Sequence, residues 1–394
     1  MQIRSTTAQD LDVFLGTVHT AFGRFPETPD ENGGGLWWSA AEMDRGVLAE
    51  TKGKAVGTAI AHSFELTLPG AVVAPAAGIT AVGVLPTHRR QGVLTEMMRY
   101  QLGELRERGE FLSVLLASEG EIYGRFGYGP ATYTRRMTIP GKSAFRTQVR
   151  TGSIEVLPRA GTTEILEQVY DRYRRTQPGA LSRPHRWWAL GAGMPPVVPA
   201  PRYVAVHRDD QGVPDGYATY TVDNGTLTID ETITADDAVF AALARFALDH
   251  DLVTEVVFKH VPTGHPLRWM LADFNAGPIS AEMDWLWVRL LDVPRALTTR
   301  GWLTDGEIVL DVDDPFLGEH HRYLLTVEDG VAECVETGRD PDLELDVRDL
   351  GSIYLGGTTP STLVRAGHVK AHGSPANADA LFRSERPPHC LHWF

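Results

Sequence analysis

Short apolar strands alternating with amphipathic helices predict an α/β protein with mixed α+β sheets, laid out as three consecutive units. Three observations carry this. Small and β-branched residues from Ile79 to Val84 pass through a basic turn into a helix whose apolar residues recur at three- and four-residue steps. A second strand-to-helix passage follows between Thr226 and Asp249. Further on, alternating Ile308, Leu310 and Val312 predict a half-buried antiparallel strand, and helical segments come after it. The units are read as residues 1–145, 146–285 and 286–394.

In order, the first unit opens with strand Gln2 to Arg4, a helix entered at Thr6 or Thr7, and strands near Gly46 to Glu50 and Ala55 to Leu66. Pro86 then stops the strand ending at Val84 by removing a ladder donor. In the helix that follows, Val93, Leu94, Met97, Met98, Leu102 and Leu105 form one face, and Glu96, Arg99, Glu104, Arg106 and Glu107 the other. Strand Phe111 to Ala117 and strands over Thr132 to Ile139 close the unit. After a break at Gly141 to Gly152 come strand Ile154 to Leu157, helix Glu164 to Arg175, and strands Tyr203 to Val206, Gly216 to Val222 and Thr226 to Glu231. Helix Asp236 to Asp249 follows them. The third unit starts near Trp287, with a helix from Val293 and strands Gly306 to Val312, Arg322 to Glu328 and Val331 to Glu336. Helices over Asp346 to Leu355, Pro360 to Ala366 and around Asn377 to Arg383 complete it.

The turn His88-Arg89-Arg90-Gln91-Gly92 is the chemically informative element. It opens a helix, so unpaired backbone N–H groups, the positive end of the dipole and two arginines converge where a phosphate can sit. Gly92 lets the backbone approach closely. An ordinary helix start with surface arginines is the plainer alternative for an isolated turn of this kind. Neither GxxxxGK[ST] nor GxGxxG is present here. Arg89-x-x-Gly92-x-Leu94, following Val82-Gly83-Val84, instead resembles the coenzyme A motif of the GNAT acetyltransferase superfamily, with Leu94 where that motif usually has a small residue.

A second segment strengthens the resemblance. After Phe111 to Ala117 comes Ser118-Glu119-Gly120-Glu121-Ile122-Tyr123-Gly124-Arg125-Phe126-Gly127-Tyr128-Gly129, which holds the Tyr-x-x-x-Gly-[Phe/Tyr] pattern of GNAT enzymes. Taken together, the two segments closely resemble the enhanced intracellular survival (Eis) family of actinobacterial N-acetyltransferases. That resemblance implies two GNAT-like domains followed by a sterol-carrier-protein-like domain, acetyl-CoA as co-substrate, and a homohexamer. It implies direct transfer to amines of aminoglycosides, polyamines or lysine side chains. Tyr123 is the implied general acid, a phenol being protonated at neutral pH. Val82, Gly83 and Val84 would hold the pantetheine and acyl group. Arg89, Arg90, Gln91, Gly92, Val93, Leu94 and Thr95 would hold the pyrophosphate, with Ser118 and Glu119 completing the coenzyme set. The second strand-to-helix entry, Thr234-Ala235-Asp236-Asp237, carries carboxylates that satisfy the helix dipole and repel a pyrophosphate, so one coenzyme site per subunit is expected.

The chain ends Pro387-Pro388-His389-Cys390-Leu391-His392-Trp393-Phe394, too apolar to remain in water. Packing alone explains such an end; the family resemblance adds that the Phe394 α-carboxylate serves as general base. Asp30 to Trp38 carries a glycine run with Trp37 and Trp38, which has two readings, a substrate-facing loop or a cover over the core. His320-His321 beside Glu319, and His368 with His372, sit near turns and lack the further ligands of a tetrahedral set, so no metal is expected.

Composition bounds the alternatives. A chain of 394 residues with 43% apolar content can bury several cores, and a formal charge of −14 disfavours nucleic acid while suiting cationic substrates. No apolar run approaches a membrane span, no signal peptide leads the chain, and Cys334 and Cys390 give no disulfide framework, so a cytoplasmic protein is expected. The rival reading is a non-catalytic acyl-CoA or lipid-binding module, or a protein-interaction module.

Overall fold

The computed structural model describes residues 1–23, 40–146, 152–159, 161–189, 202–234 and 236–394, and among them the strands form three sheets. Strands β1 (Gln2–Ser5), β2 (Gly46–Thr51), β3 (Lys54–Leu68), β4 (Val72–Val84), β5 (Leu112–Leu116) and β6 (Gly129–Pro130) belong to the first. The second contains β7 (Tyr133–Pro140), β8 (Ser153–Pro158), β9 (Tyr203–Arg208), β10 (Pro214–Asp223), β11 (Thr226–Thr234), β12 (Glu255–Pro262) and β13 (Ile279–Asp284). The chain then returns to the first sheet, where β14 (Leu286–Leu290) pairs antiparallel with both β5 and β6. Strands β15 (Gly306–Asp314), β16 (Glu319–Glu328), β17 (Val331–Glu336), β18 (Leu343–Asp346) and β19 (Lys370–Ala371) make the third.

Near the boundaries expected from sequence, strands are exchanged between sheets. Tyr133–Pro140, read from sequence as closing the first unit, pairs with β12 and β13 in the second sheet. Leu286–Leu290, read as the start of the third unit, lies in the first sheet. The described chain therefore forms two compact units: Met1–Thr132 with Trp285–Arg386 and Trp393–Phe394, and Tyr133–Asp284 with Pro387–His392. Strand partners this distant are set by tertiary packing, and local pattern does not report them.

In the first unit, helix α1 (Leu11–Phe22) ends at Gly23, whose φ of 58° suits the left-handed C-cap. Helix α2 (Val93–Glu107) buries Val93, Met97, Met98, Leu102 and Leu105, the face expected from periodicity. Burying each such side chain contributes about 1.5–3 kcal/mol. Short helix α3 (Gly120–Gly124) places Tyr123 in the same cluster as Ala61, Ala77, Ile79, Met98, Leu115, Tyr128 and Trp287. In β15, Val309 and Asp311 are buried as well as Ile308, Leu310 and Val312, so the strand is covered on both faces and not half-buried. The charge is compensated there by Arg322, which donates two hydrogen bonds to Asp311 Oδ2.

In the second unit, helix Asp237–Leu248 buries eight residues, and its cap residue Asp236 accepts a hydrogen bond from Val239 N at 2.8 Å. The chain's penultimate segment docks in this unit. Gln177 Nε2 donates to the Pro387 carbonyl at 2.9 Å, His389 N donates to the Pro178 carbonyl at 2.8 Å, and Leu391 joins a core cluster with Tyr170, Trp188 and Tyr217.

Candidate active site

Strand β4 is the spine of the site. It pairs parallel with β5 only through Ala77–Ser113, Gly78–Val114 and Ile79–Leu115, so the edge of Thr80 to Val84 that faces β5 has no strand partner. On its other side β4 pairs with β3, with a register shift between Thr58 and Ile60. Opposite that shift Ala81 has a φ of 49°, and its carbonyl accepts from Thr58 Oγ1 at 2.9 Å. An extra residue bends the strand and redirects the residues beyond it, here Val82 and Val84. β5 itself ends at Leu116, so among the described residues the β5-facing edge of β4 beyond Ile79 keeps unpaired backbone groups, which an extended amide chain can take up.

At the end of β4 the chain makes a turn at Pro86–His88 and enters α2. Gly92 is the N-cap, with a φ of 81° and no side-chain cap, and a Cβ added there would meet nothing within 4 Å. Arg90 also lies in the left-handed region, with a φ of 60°. Arg90, Gln91 and Gly92 are exposed, Val82, Val84, Leu94 and Thr95 are half-buried, and Gly83 and Val93 are buried. Arg89 departs from expectation. Its guanidinium donates to the Ala21 carbonyl at 2.9 Å and to the Val84 carbonyl at 3.3 Å, tying the end of α1 to the end of β4. Gln91 Nε2 likewise donates to the Thr87 carbonyl, at 3.1 Å. Of the two arginines, Arg90 is the one without such a tie among the described residues.

Tyr123 is 8% exposed and shares its cluster with half-buried Val82 and Leu94. Burial, reinforced by the Glu119 carboxylate, pushes its phenol up to about 12. Ser118 and Glu119 are exposed, and Glu119 is the residue from which α3 starts. Tyr128 meets Tyr123 edge-on at 6.4 Å and is fixed by a 2.6 Å hydrogen bond between its hydroxyl and Ser113 Oγ on β5. Gly127, the glycine of the motif, has a φ of 80°, and a Cβ there would overlap Nη1 of the buried Arg289. That guanidinium is held by Asp314 at 2.5 Å.

Side chains alternate between faces along a strand. Ala61, Ala77 and Ile79 face α2 and Tyr123. His62, Phe64 and Gly78 face the other way, His62 lying directly opposite Gly78 in the ladder. There the chain end arrives: Phe394 is 4% exposed, with its ring 4.9 Å from that of Phe64. A Cβ on Gly78 would come within 2.5 Å of the Phe64 ring and 3.0 Å of Phe394 Cε2, so the missing side chain is the seat of the terminal residue. Beside it, His62 Nδ1 stands 3.7 Å from Glu42 Oε1. Glu42 accepts from Ser63 N at 2.9 Å and from Ser63 Oγ at 2.6 Å. Burial opposes ionisation of Glu42, but His62 and the Ser63 donors outweigh it and hold the carboxyl well below its usual range.

The structure thus gathers Val82, Leu94 and Tyr123 on one face and Phe394 on the other face of β4. Trp37 and Trp38 lie outside the described residues. Sequence reasoning missed Ala81, Glu42 and His62. Alanine carries no signature for a bulge, and twenty positions and a change of element separate Glu42 from His62. The histidines weighed as ligands lie beside carboxylates, His320 with Asp311, His321 with Glu336, His368 with Asp349 and His372 with Glu344. His320 and His321 lie within β16 and not at a turn. Among the described residues no group of three or more His, Cys, Asp or Glu is placed to hold a metal, and no helix is long and apolar enough to cross a membrane. A cavity of about 320 Å³ in the first unit, lined in part by Arg106, Asp292, Glu319 and Tyr323, contains none of the predicted site residues.

Acetyltransferase (GNAT) domain models match residues 2–131 and 179–290, and a sterol carrier protein domain model matches residues 293–391. An uncharacterised N-acetyltransferase of Streptomyces griseus is 32% identical over 99% of both chains. The N-acetyltransferase Eis of Mycobacterium tuberculosis is 34% identical over 351 residues, 84% of either chain. The crystal structure of Eis1 from Mycobacterium abscessus matches over 100% of both chains, with a TM-score of 0.88 at 31% identity. Two GNAT domains, a sterol-carrier-like third, and this identity over nearly the whole chain mean that the protein belongs to the Eis family of GNAT N-acetyltransferases.

Proposed function

We propose that the protein transfers the acetyl group of acetyl-CoA directly to primary amines of aminoglycosides, polyamines or lysine side chains. The unpaired edge of β4 beyond Ile79 carries this reading, because an extended thioester arm can pair with it while Tyr123 lies toward one face of the strand and Phe394 toward the other. The backbone of Val82 to Val84 holds the pantetheine, while the turn from Arg90 to Thr95 receives the pyrophosphate through helix N–H groups and the Arg90 charge. Arg89 supports that turn from behind by its two carbonyl contacts.

Tyr123 faces the leaving sulfur. A phenol at about 12 lies above a thiol's ordinary value of about 8.5, so complete proton transfer to the thiolate is uphill. Its contribution is a hydrogen bond that strengthens as charge develops on sulfur. The Phe394 α-carboxylate draws the cationic acceptor to the opposite face and begins its deprotonation. A net charge of −14 favours the approach of polycations. The second GNAT-like domain holds no coenzyme, since Asp236 already caps the equivalent helix entry. The hexamer implied by the family resemblance belongs to this reading, as does a cytoplasmic site of action.

Thiol release from acetyl-CoA, measured over a panel of aminoglycosides, polyamines and lysine peptides, tests it. Tyr123→Phe is expected to lower turnover by about 10²-fold or more while acetyl-CoA still binds. A parent protein in which no amine raises thiol release although acetyl-CoA binds would favour a coenzyme- or lipid-binding module instead. Light scattering on the eluted protein tests the hexamer.

A further inference from the structure

An amine acceptor is an ammonium at neutral pH and must lose a proton before its lone pair can attack. Strand β4 cannot take that proton, because Val72 to Val84 carries no ionisable side chain. A terminal α-carboxylate ordinarily titrates at about 3.3–3.7, more than five units below a lysine-type amine, and is a poor final resting place for it. On the same face, directly across the ladder from the glycine that seats Phe394, stands His62, 4% exposed.

We propose that the imidazole of His62, beside the Glu42 carboxylate, is the final proton acceptor for the incoming amine, behind the Phe394 carboxylate. The inference rests on the reading that the amine attacks from the Phe394 face. With Nδ1 at 3.7 Å from Glu42, beyond hydrogen-bond reach, the negative charge of the carboxylate favours the protonated ring. The Phe394 α-carboxylate, which this reading places on the same face, likewise favours the protonated ring. Arg45 Nε lies 4.0 Å from Glu42 but is itself paired with Glu110 at 2.7 Å. Glu65 is turned to the other face of β3, and the facing strand β4 adds no charge. Glu42 also satisfies Ser63 N beyond Ile60, where β2 ceases to pair with β3, so its sequence position has a structural use that the pH profile must separate from the catalytic one.

Atoms and charge balance in this step. One proton passes from the ammonium to His62. The amine lone pair forms the C–N bond, and the C–S bond breaks with its electron pair on sulfur. The second amine proton leaves to solvent as the thiolate takes one up, and His62 then returns its own proton to solvent, so one proton is released per turnover.

The test is the pH dependence of kcat/KM for a diamine at saturating acetyl-CoA, followed by thiol release in the parent chain, in His62→Gln and in Glu42→Gln, with Tm recorded for each. In the parent an acidic limb is expected, where the imidazole takes up its proton from solvent and can no longer accept one from the amine. His62→Gln should lose that limb and fall at least tenfold at pH 7.5, and Glu42→Gln should move it to lower pH by about one unit. A limb in His62→Gln that coincides with the parent's overturns the proposal. If His62→Gln does not fold, an unmoved limb in Glu42→Gln overturns it. A chain extended by one alanine separates the underlying reading: its inactivity beside an unchanged His62→Gln profile rejects His62 alone, whereas its full activity beside a displaced His62→Gln limb rejects the terminus and keeps His62.

Discussion

Gly78→Ala probes the seat of the chain end with one methyl group. The new Cβ would lie 2.5 Å from two carbons of the Phe64 ring and 3.0 Å from Phe394 Cε2. Carbon atoms settle at about 3.5–4.0 Å, so the Phe64 ring must retreat by about 1 Å and the Phe394 ring by about 0.5 Å. Neither has room, at 3% and 4% exposure. Overpacking of this kind costs about 1–3 kcal/mol, which for a unit of this size lowers Tm by roughly 2–12 °C. Displacement of a reacting group by about 1 Å costs about 10²-fold in rate, so a shift of Phe394 by about half that should lower kcat roughly tenfold while KM for acetyl-CoA stays near the parent value. Steady-state thiol release and a thermal melt give both numbers. A folded Gly78→Ala protein with parental kcat would refute the placement of Phe394 in the reaction.

The same geometry makes further demands. Gly127→Ala combines a positive φ with a Cβ that overlaps buried Arg289 and should prevent folding of the first unit, which expression yield and circular dichroism would show; a stable, active variant contradicts it. Arg90→Ala should raise KM for acetyl-CoA about five- to tenfold, or about 1 kcal/mol, and flatten its salt dependence, while Arg89→Ala should act mainly on Tm. Burial lowers His389 to about 3 and His260 to about 4, both in the second unit. Between about pH 6.5 and those values the unfolded chain binds protons that the folded chain refuses, so stability must fall as pH falls through that window. A Tm that is flat or rising from pH 7 down to pH 5 contradicts this.

The parts legible in the sequence are those determined locally. The face of α2 follows from the spacing of Met97, Met98, Leu102 and Leu105, whereas Gly92, read as room for close backbone approach, proves to be the left-handed residue at the helix entry. The glycine of Tyr123-x-x-x-Gly127 was legible as a motif, but its physical cause was not, because Arg289 lies far along the chain. The same holds for β14, whose five residues are apolar enough for any sheet and whose place beside β5 depends on distant partners. Arg89 reads as a phosphate ligand beside Arg90, yet it faces two carbonyls, since a guanidinium near a helix C-terminus finds acceptors as readily as an anion. The bulge at Ala81 and the pairing of Glu42 with His62 left no local trace at all.

The central claim is that the end of this chain takes part in the chemistry. Appending one alanine after Phe394 moves the α-carboxylate by a residue and changes no side chain of the parent. Measured by thiol release with acetyl-CoA and a reactive amine, the extended chain should bind acetyl-CoA as before and lose about 10²-fold in kcat. Turnover equal to that of the parent would contradict the account.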